Sequence, residues 1–231
     1  MNGIPFRNDS NHPHVEFKYR ILIVDDHPLV RRGLSALIGA ETDLEICGET
    51  GSVRGALDLA AGGSPDLAIV DLSLADHGDG LELVKRLHAR KPSLKILVFS
   101  VHDESLFAQR ALAAGARGYI NKQEATACVV TAIRTVLQGD YFVSDYLAQK
   151  TFREISGQDR DLRNPLGSLS DRELQIYRLV GAGTGTSEIA EQLHLSVKTV
   201  ESHKSRIKKK LNLNTASELM RHAIKWSQDE F

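Results

Sequence analysis

The sequence of 231 residues contains few cysteines and no long apolar run. Its two cysteines, Cys47 and Cys128, are too few for a disulfide framework, and both stand in apolar surroundings. They predict reduced core residues in a reducing compartment. No apolar run approaches the ~20 residues of a membrane helix, and the first residues lack the apolar stretch of a signal peptide. We therefore expect a cytoplasmic protein without a membrane segment.

The chain also has almost no net charge, because its 29 basic residues nearly balance its 30 acidic ones. The balance hides an asymmetry between the two parts of the chain. Residues Arg20 to Gly139 carry 13 basic and 15 acidic residues, a net of −2, whereas Ser168 to Trp226 carry 10 basic and 6 acidic, a net of +4. A basic C-terminal block on a neutral chain indicates one module that faces an anionic polymer.

Five apolar runs alternate with amphipathic helical patterns over the first 139 residues. Such alternation predicts one parallel sheet covered by helices on both faces, a doubly wound α/β fold with strand order 2-1-3-4-5. The five predicted strands are Tyr19–Val24, Glu45–Glu49, Leu67–Leu72, Ile96–Phe99 and Gly118–Ile120.

Polar residues stand at the C-terminal ends of these strands. Asp25 and Asp26 follow the first strand, Asp71 stands in the third, Ser100 closes the fourth and Lys122 follows the fifth. In the order 2-1-3-4-5 the first and third strands are neighbours at the topological switch point, so three carboxylates converge on one crevice. A like-charged pair ~4 Å apart costs about 4 kcal/mol at an effective dielectric constant near 20. A proton or a cation must relieve this repulsion, and Mg²⁺ suits a set of oxygen ligands.

Two further side chains turn the acidic cluster into a candidate anion site. Ser100 adds a hydroxyl donor and Lys122 adds a fixed positive charge beside Asp71. Together with a bound cation, these groups can hold a tetrahedral anion next to the carboxylate. Asp71 is therefore a candidate phosphoryl acceptor.

Several motifs in this region resemble the receiver domain of two-component response regulators. They are V-D-D-H-P-L-V-R-R-G, I-V-D-L-S-L, L-V-F-S-V-H-D-E, A-A-G-A-R-G-Y-I and N-K, and the resemblance covers Arg20 to about Gly139. It implies a flavodoxin-like fold in which Asp71 accepts a phosphoryl group from a phosphohistidine on a sensor histidine kinase.

The resemblance also implies roles for the residues around the acceptor. Asp26 would ligate Mg²⁺ directly and Asp25 through water, with Asp71 and the backbone carbonyl of Ser73 completing the protein ligands. The residues implied to contact the phosphoryl group or to respond to it are Ser100, Lys122 and Tyr119, of which Tyr119 matches the aromatic switch position.

One loop departs from the receiver pattern. Receivers usually carry a proline four residues after the acceptor and a glycine eight residues after it, whereas this chain has Ala75 and then Gly80, nine residues on. The loop from Ala75 to Gly80 also contains Asp76, His77 and Asp79, which can alter access to the site, metal affinity or phosphoryl lifetime.

The C-terminal block begins with a clear helix signature. Ser170 and Glu173 form a capping box, and Leu169 with Leu174 forms a hydrophobic staple around it. Three further helices follow, and the third of the four helices is capped by Ser196 and is strongly basic. Two helices joined by a short turn, the second of them basic, are typical of a helix-turn-helix module.

The third of these helices has one apolar and one polar face. At 100° per residue, the apolar stripe consists of Val197, Val200, Ile207 and Leu211, which we expect to face inward. Lysine and arginine neutralise phosphates, while serine and glutamate can contact base edges, so the polar side suits a DNA major groove. The predicted DNA-binding residues are Lys198, Thr199, Glu201, Ser202, Ser205, Arg206 and Lys209.

This block resembles the four-helix LuxR-type DNA-binding domain. The matching segments are L-S-D-R-E-L and S-E-I-A-E-Q-L-H-L-S-V-K-T-V-E-S-H-K-S-R-I-K-K-K-L, within about Pro165 to Trp226. A receiver followed by this domain is the NarL/FixJ-type architecture, which implies a transcription factor that binds double-stranded DNA as a homodimer, with RNA polymerase a further candidate partner. Thr186 and Ser187 stand where Asn and Lys are common, which would remove a phosphate contact.

We therefore predict four segments. They are a disordered tail at 1–18, a receiver at 19–139, a linker at 140–166 and a helix-turn-helix domain at 167–231. Two alternatives to a phosphorylation-controlled regulator stay open. One is an atypical regulator that binds DNA without phosphorylation, and the other is a metal-dependent phosphatase, which would need a carboxylate where Ser73 stands.

Overall fold

The computed structural model describes residues 18–74, 80–123, 128–155 and 165–229. The tail predicted at residues 1–18 lies outside the described residues except for Lys18, and so do residues 75–79 of the departing loop and residues 156–164 of the linker.

Five parallel strands form a single sheet in the order β2-β1-β3-β4-β5, as predicted. The register pairs Val24 with Val70, so the residues after β1 and β3 leave the sheet side by side. The strands are β1 Tyr19–Val24, β2 Leu44–Thr50, β3 Leu67–Val70, β4 Lys95–Ser100 and β5 Gly118–Asn121.

Helices cover both faces of this sheet. Those on one face, α1 and α5, bury Leu34 and Ile133 against it, and those on the other, α2, α3 and α4, bury residues such as Leu57 and Phe107. The two faces are therefore closed to water, as a parallel sheet requires. The helices are α1 Pro28–Gly39, α2 Val53–Gly62, α3 Gly80–Arg90, α4 Glu104–Ala113 and α5 Val129–Gln138.

Strand β3 ends at Val70, two residues before the end predicted from the sequence. The N–H of Asp71 still donates to the carbonyl of Val24 (2.8 Å), but the N–H of Ser73 donates to the Asp71 carboxylate. The chain then returns at Gly80, where an added Cβ would lie 2.4 Å from the carbonyl oxygen of Asp71. Only glycine permits this approach, so Gly80 fits the role of the family glycine although it falls one residue later.

The first part of the predicted linker packs on the receiver. Phe142 lies beside β5, where its carbonyl accepts a hydrogen bond from the N–H of Tyr119 (2.9 Å). The main-chain N–H of Ser144 donates to Glu104 on α4 (3.1 Å). A sixth helix, α6, spans Asp145–Ile155, and its Leu147 is buried. These contacts fix the start of the linker to the edge of the sheet.

The C-terminal region consists of a 3₁₀ turn and four helices. The predicted capping box is present, because Ser170 Oγ accepts from the N–H of Glu173 and Glu173 Oε2 accepts from the N–H of Ser170. Ser196 caps the third of the four helices, as predicted. The elements are the 3₁₀ turn Pro165–Ser168, α7 Asp171–Gly181, α8 Thr186–Gln192, α9 Val197–Lys210 and α10 Ala216–Asp229.

These helices share buried side chains that form one hydrophobic cluster with part of the receiver core. Tyr177 on α7 is fully buried, and its hydroxyl lies 2.7 Å from His222 Nδ1 on α10. Its ring lies 5.6 Å from that of Trp226. The buried side chains of α9 that complete this core are Val200 and Ile207. Within the described ranges, every helix is too short or too polar to cross a membrane.

Candidate functional site

Three charged side chains meet where β1, β3 and β5 end. Lys122 Nζ lies 2.7 Å from Asp25 Oδ2 and 2.7 Å from Asp71 Oδ2. Both carboxylates are buried. The sheet order brings together residues 97 and 51 positions apart in the sequence, as predicted from their places at strand ends. The convergence of Asp25, Asp71 and Lys122 is thus a consequence of the topology.

The ionisation of this group follows from burial and from its mutual contacts. Burial raises the pKa of Asp71, and the ammonium of Lys122 opposes only part of that effect. Burial alone would lower the pKa of Lys122, but the carboxylates of Asp71 and Asp25 outweigh it, so this pKa is raised. Lys122 therefore stays charged and holds a positive charge beside the carboxylate of Asp71.

Asp26 has a different environment from Asp25. Its Oδ1 is buried without a hydrogen bond, and His27 Nδ1 lies 2.7 Å from it, at ion-pair distance. Ligand atoms of Asp25, Asp26, His27 and Asp71 all lie within 4.8 Å of one another. An orphaned carboxylate oxygen beside two more carboxylates fits a hard dication with oxygen ligands.

The cluster contains three of the residues predicted to hold magnesium, Asp25, Asp26 and Asp71, and one further residue, His27. Asp26, with its unbonded oxygen, is the carboxylate best suited to bind the ion directly. The predicted carbonyl ligand, Ser73, borders the cluster, since its N–H donates to Asp71 Oδ1 (3.1 Å). The side chain of His27, which the sequence analysis did not select, is exposed and reaches the rim. Its position directly after Asp26 was the only available signal.

Ser100 and Tyr119 are both buried and meet at a third residue, His102. The hydroxyl of Ser100 accepts from the N–H of His102 (3.3 Å), and the hydroxyl of Tyr119 donates to its carbonyl (2.9 Å). His102 was not among the residues predicted from the sequence. The two predicted switch residues are therefore joined through the main chain of one residue in the segment after β4.

The polar face of α9 is open to solvent. The predicted residues that lie exposed on it are Lys198, Glu201, Ser202, Ser205, Arg206 and Lys209. Thr199 is half-buried, and its hydroxyl lies 2.8 Å from Ser196 Oγ within the helix cap. This face extends over the length of the helix and presents three cations.

Val197 does not belong to the inward stripe predicted for α9. The prediction was wrong for this residue, because its exposed fraction is 49%, whereas Val200 and Ile207 are fully buried. Val197 is the first residue of the helix, so the core formed by α7 and α10 lies beyond its reach. Leu211, which follows the helix, packs partly against the core.

Glu201 is held by its neighbours rather than extended freely into solvent. Its Oε1 accepts from the hydroxyl of Thr186 (3.0 Å) and lies 3.2 Å from Lys204 Nζ. Partial burial would raise the pKa of Glu201, but the hydrogen bonds from Thr186 and Lys204 outweigh it and the pKa is lowered. Thr186, which departs from the family pattern, therefore orients a predicted DNA-contact residue.

The comparisons with known proteins agree with both halves of this description. Residues 21–134 match the response regulator receiver domain, and residues 167–223 match the luxR family of bacterial regulatory proteins. The oxygen regulatory protein NreC of Staphylococcus carnosus is 36% identical over 210 residues, which cover 89% of this chain and 97% of that protein.

Two solved structures are similar as well. RcsB from Salmonella enterica serovar Typhimurium, bound to promoter rprA with the phosphomimetic BeF₃⁻, has a TM-score of 0.68 at 24% identity and covers 89% of this chain and 98% of that one, a likeness of fold. A LuxR-family two-component response regulator from Aurantimonas sp. SI85-9A1 has a TM-score of 0.56 at 33% identity and covers 60% of this chain and 99% of that one. The chain belongs to the two-component response regulators that join a receiver domain to a LuxR-type DNA-binding domain.

Proposed function

We propose that this regulator is controlled by phosphoryl transfer to Asp71. The observation that carries the proposal is the buried contact of Lys122 with both Asp25 and Asp71, beside the orphaned oxygen of Asp26. This arrangement joins a nucleophilic carboxylate, a fixed cation and ligands for a dication in one crevice. The donor would be a phosphohistidine on a sensor histidine kinase.

The transfer is a single displacement at phosphorus. A carboxylate oxygen of Asp71 forms a bond to phosphorus as the nitrogen–phosphorus bond of the donor breaks, and the electron pair stays on the imidazole, which takes a proton from solvent. Lys122 would transfer its contact from the Asp71 carboxylate to the phosphoryl group. Its Nζ already lies 2.7 Å from that carboxylate. Asp25, Asp26 and Asp71, with the carbonyl of Ser73, would hold Mg²⁺, which would neutralise charge on the phosphoryl oxygens.

The hydroxyl of Ser100 is placed to respond to the new phosphoryl group. It is buried at the end of β4, next to β3, where Asp71 follows. A phosphoryl group brings about −1.5 to −2 charges and three strong acceptors, so the hydroxyl of Ser100 gains a partner in the phosphorylated protein. Tyr119, already buried and bonded to the same segment, would follow that movement.

The exposed face of α9 is the proposed DNA-binding surface. Lys198, Arg206 and Lys209 would neutralise phosphates, while Glu201, Ser202 and Ser205 face the base edges and Thr199 supports the start of the helix. The +4 net charge of this region supports an anionic partner. Binding as a homodimer, and contact with RNA polymerase at a promoter, complete the proposal.

Mass spectrometry with acetyl phosphate tests the acceptor. After incubation with Mg²⁺ and acetyl phosphate, we expect the wild type to gain one phosphoryl group and to shift towards dimer in size-exclusion chromatography. Asp71→Asn should show neither change, and Asp58→Asn, at an exposed acid on α2, serves as the matched control that still gains the group.

The same experiment separates the alternatives. An atypical regulator would take up no phosphoryl group in any variant and would still bind DNA. A metal-dependent phosphatase would release inorganic phosphate from acetyl phosphate over many turnovers, but Ser73 offers a hydroxyl 2.7 Å from His102 Nε2 where that reaction needs a carboxylic acid.

A further inference from the structure

His102 lies between the proposed acceptor site and the DNA-binding helices. It follows β4 by two residues and is 4% exposed. Its N–H donates to Ser100 and its carbonyl accepts from Tyr119, so its main chain is held by both predicted switch residues. Any displacement of Ser100 or Tyr119 is therefore transmitted to His102.

The ring of His102 reaches back towards the acceptor. Its Nε2 lies 2.7 Å from the hydroxyl of Ser73, the residue whose N–H donates to Asp71 Oδ1. The ring centroid lies 4.8 Å from that of Phe107 on α4, at an interplanar angle of 30°. Packing against Phe107 fixes the ring plane, so the direction of Nε2 is set by the receiver itself.

The same nitrogen also contacts the DNA-binding region. Arg178 on α7 places Nη2 2.7 Å from Nε2 of His102, and its guanidinium lies 5.5 Å from the centroid of the Phe107 ring. A guanidinium can only donate hydrogen bonds, so Nε2 must offer its lone pair to Arg178. The hydroxyl of Ser73 then faces an acceptor that is already engaged, and the two donors compete for it.

Other contacts between the described parts of the two regions lie at α3 and α4, away from Asp71. Arg110 on α4 donates to Asp171 (2.8 Å) and to the carbonyl of Leu169 (2.7 Å). Lys85 on α3 lies 2.6 Å from Asp171. These bonds hold the start of α7 against the receiver, while the polar face of α9 stays exposed. The contact of His102 with Arg178 joins this interface to the acceptor site.

We propose that His102 is a positioning residue that couples the acceptor site to the docking of α7 on the receiver. The inference rests on the proposed function of Asp71. When Ser100 turns towards a phosphoryl group, the main chain of His102 moves with it and its ring withdraws from Arg178, which releases α7. Because coupling is reciprocal, docking of Arg178 in turn opposes uptake of the phosphoryl group.

Arg178→Ala tests the coupling from the DNA-binding side. The probe is beryllofluoride with Mg²⁺, a phosphoryl mimic, titrated against the full chain. We expect Arg178→Ala to tighten its apparent affinity about fivefold, the lower end of usual coupling. In a His102→Leu background, which keeps the packing on Phe107 and removes the hydrogen bonds of the ring, the same change should shift the affinity less than twofold. Equal shifts in both backgrounds would overturn the proposal.

Two further variants, His102→Gln and Arg110→Ala, serve as controls for this experiment. A glutamine carbonyl can still accept from Arg178, so the effect of Arg178→Ala should persist in that background. Arg110→Ala loosens docking without contacting His102, so in the His102→Leu background it should also leave the beryllofluoride affinity unchanged. A loss of the Arg178→Ala effect with glutamine, or a full Arg110→Ala effect with leucine, would contradict the assigned role.

A readout without metal or phosphoryl mimic keeps this test separate from that of the acceptor. Hydrogen exchange of the first amides of α7 should increase at least threefold in Arg178→Ala and in His102→Leu. If wild type binds no beryllofluoride, the proposed function fails and the coupling fails with it. If wild type binds it but exchange and affinity do not respond to His102→Leu, the coupling alone is refuted.

Discussion

The proposed acceptor site and the exposed face of α9 place charged side chains in opposite settings. In the receiver, Asp25, Asp71 and Lys122 are withdrawn from water and compensate one another at 2.7 Å. On α9, cations such as Arg206 and Lys209 lie in solvent. Buried charges act on one another strongly, whereas solvated ones act mainly on a partner that brings its own charge.

This contrast separates two ways in which a sequence defines a site. The acceptor site depends on topology, because residues far apart in sequence meet only when five strands pair in one order. The α9 face depends on the period of a single helix and on what the rest of its domain leaves uncovered. Changes at the first site should therefore affect folding and chemistry together, while changes at the second should affect binding alone.

The largest effect is expected for Lys122→Ala. It leaves Asp25 and Asp71 buried without their cation, which should lower the free energy of unfolding by about 3 kcal/mol in the absence of Mg²⁺. Urea unfolding with and without Mg²⁺ measures this, and added Mg²⁺ should restore part of the loss. Lys18→Ala, an exposed lysine before β1, is the control that should change stability by less than about 0.5 kcal/mol. Equal stabilities of the two variants would show that the contacts of Lys122 are not stabilising.

The next largest effect on stability is expected for one of two valines on α9. Val200 is fully buried and Val197 is 49% exposed. Val200→Ala should lower the free energy of unfolding by about 2 kcal/mol, because it leaves a cavity in the core, and Val197→Ala should change it by less than about 0.5 kcal/mol. Thermal or urea unfolding of both variants measures these changes. A larger loss of stability for Val197→Ala than for Val200→Ala would support the inward position predicted for Val197 from the sequence.

An acid-dependent effect of about 1.5 kcal/mol is expected at Glu173. Burial would raise the pKa of Glu173, but hydrogen bonds from Lys210 and the Ser170 N–H outweigh it and lower the pKa. A lowered carboxyl pKa contributes stability above the ordinary glutamate pKa of about 4.3, and the contribution is lost as the pH falls through the folded value. The stability difference between wild type and Glu173→Gln should therefore shrink below about pH 4.3.

The stability contribution of Asp71, in the receiver, should have the opposite pH dependence. Burial raises the pKa of Asp71, so its own contribution to stability is present at low pH and decreases as the pH rises through the folded value. Asp71→Asn should thus reduce the loss of stability towards higher pH in the absence of Mg²⁺. Unfolding measured from pH 3 to pH 8 for both variants tests the two signs together, and a Glu173→Gln difference that grows on acidification would contradict the assignment.

The smallest effect, about 1 kcal/mol in DNA binding, is expected for Arg206→Ala. Removal of one phosphate contact should lower affinity for all sequences alike and reduce the slope of log K against log salt by about 0.9. Fluorescence anisotropy at several salt concentrations measures both quantities. Lys225→Ala on α10 is the control, and an unchanged slope for Arg206→Ala would remove this residue from the DNA-binding surface.

The sequence predicted the strand order and the convergence of Asp25, Asp71 and Lys122 for a physical reason. Continuous apolar runs specify buried parallel strands, and residues at their ends must meet at one edge of the sheet. The order of strands and the meeting of Asp25, Asp71 and Lys122 follow from that rule. The buried face of a single helix was harder to predict. The helical period alone placed Val197 inward, although its position at the start of α9 leaves it exposed.

Contacts between the two regions were beyond sequence reasoning. His102 and Arg178 are 76 positions apart, and neither a period nor a strand end relates them. The same holds for Thr186, whose hydroxyl holds Glu201 across 15 positions. Such pairs depend on how separate elements pack together, and a pattern within one element carries no information about that packing.

The central claim is that phosphorylation of Asp71 controls the DNA-binding surface of α9. Its most direct test is the affinity of the full chain for a duplex selected from a random library, measured with Mg²⁺ in the presence and absence of beryllofluoride. We predict that wild type binds between 5-fold and 150-fold more tightly with beryllofluoride and that Asp71→Asn does not respond. Tight binding by wild type that is identical under both conditions would contradict the account and identify a regulator that works without phosphorylation.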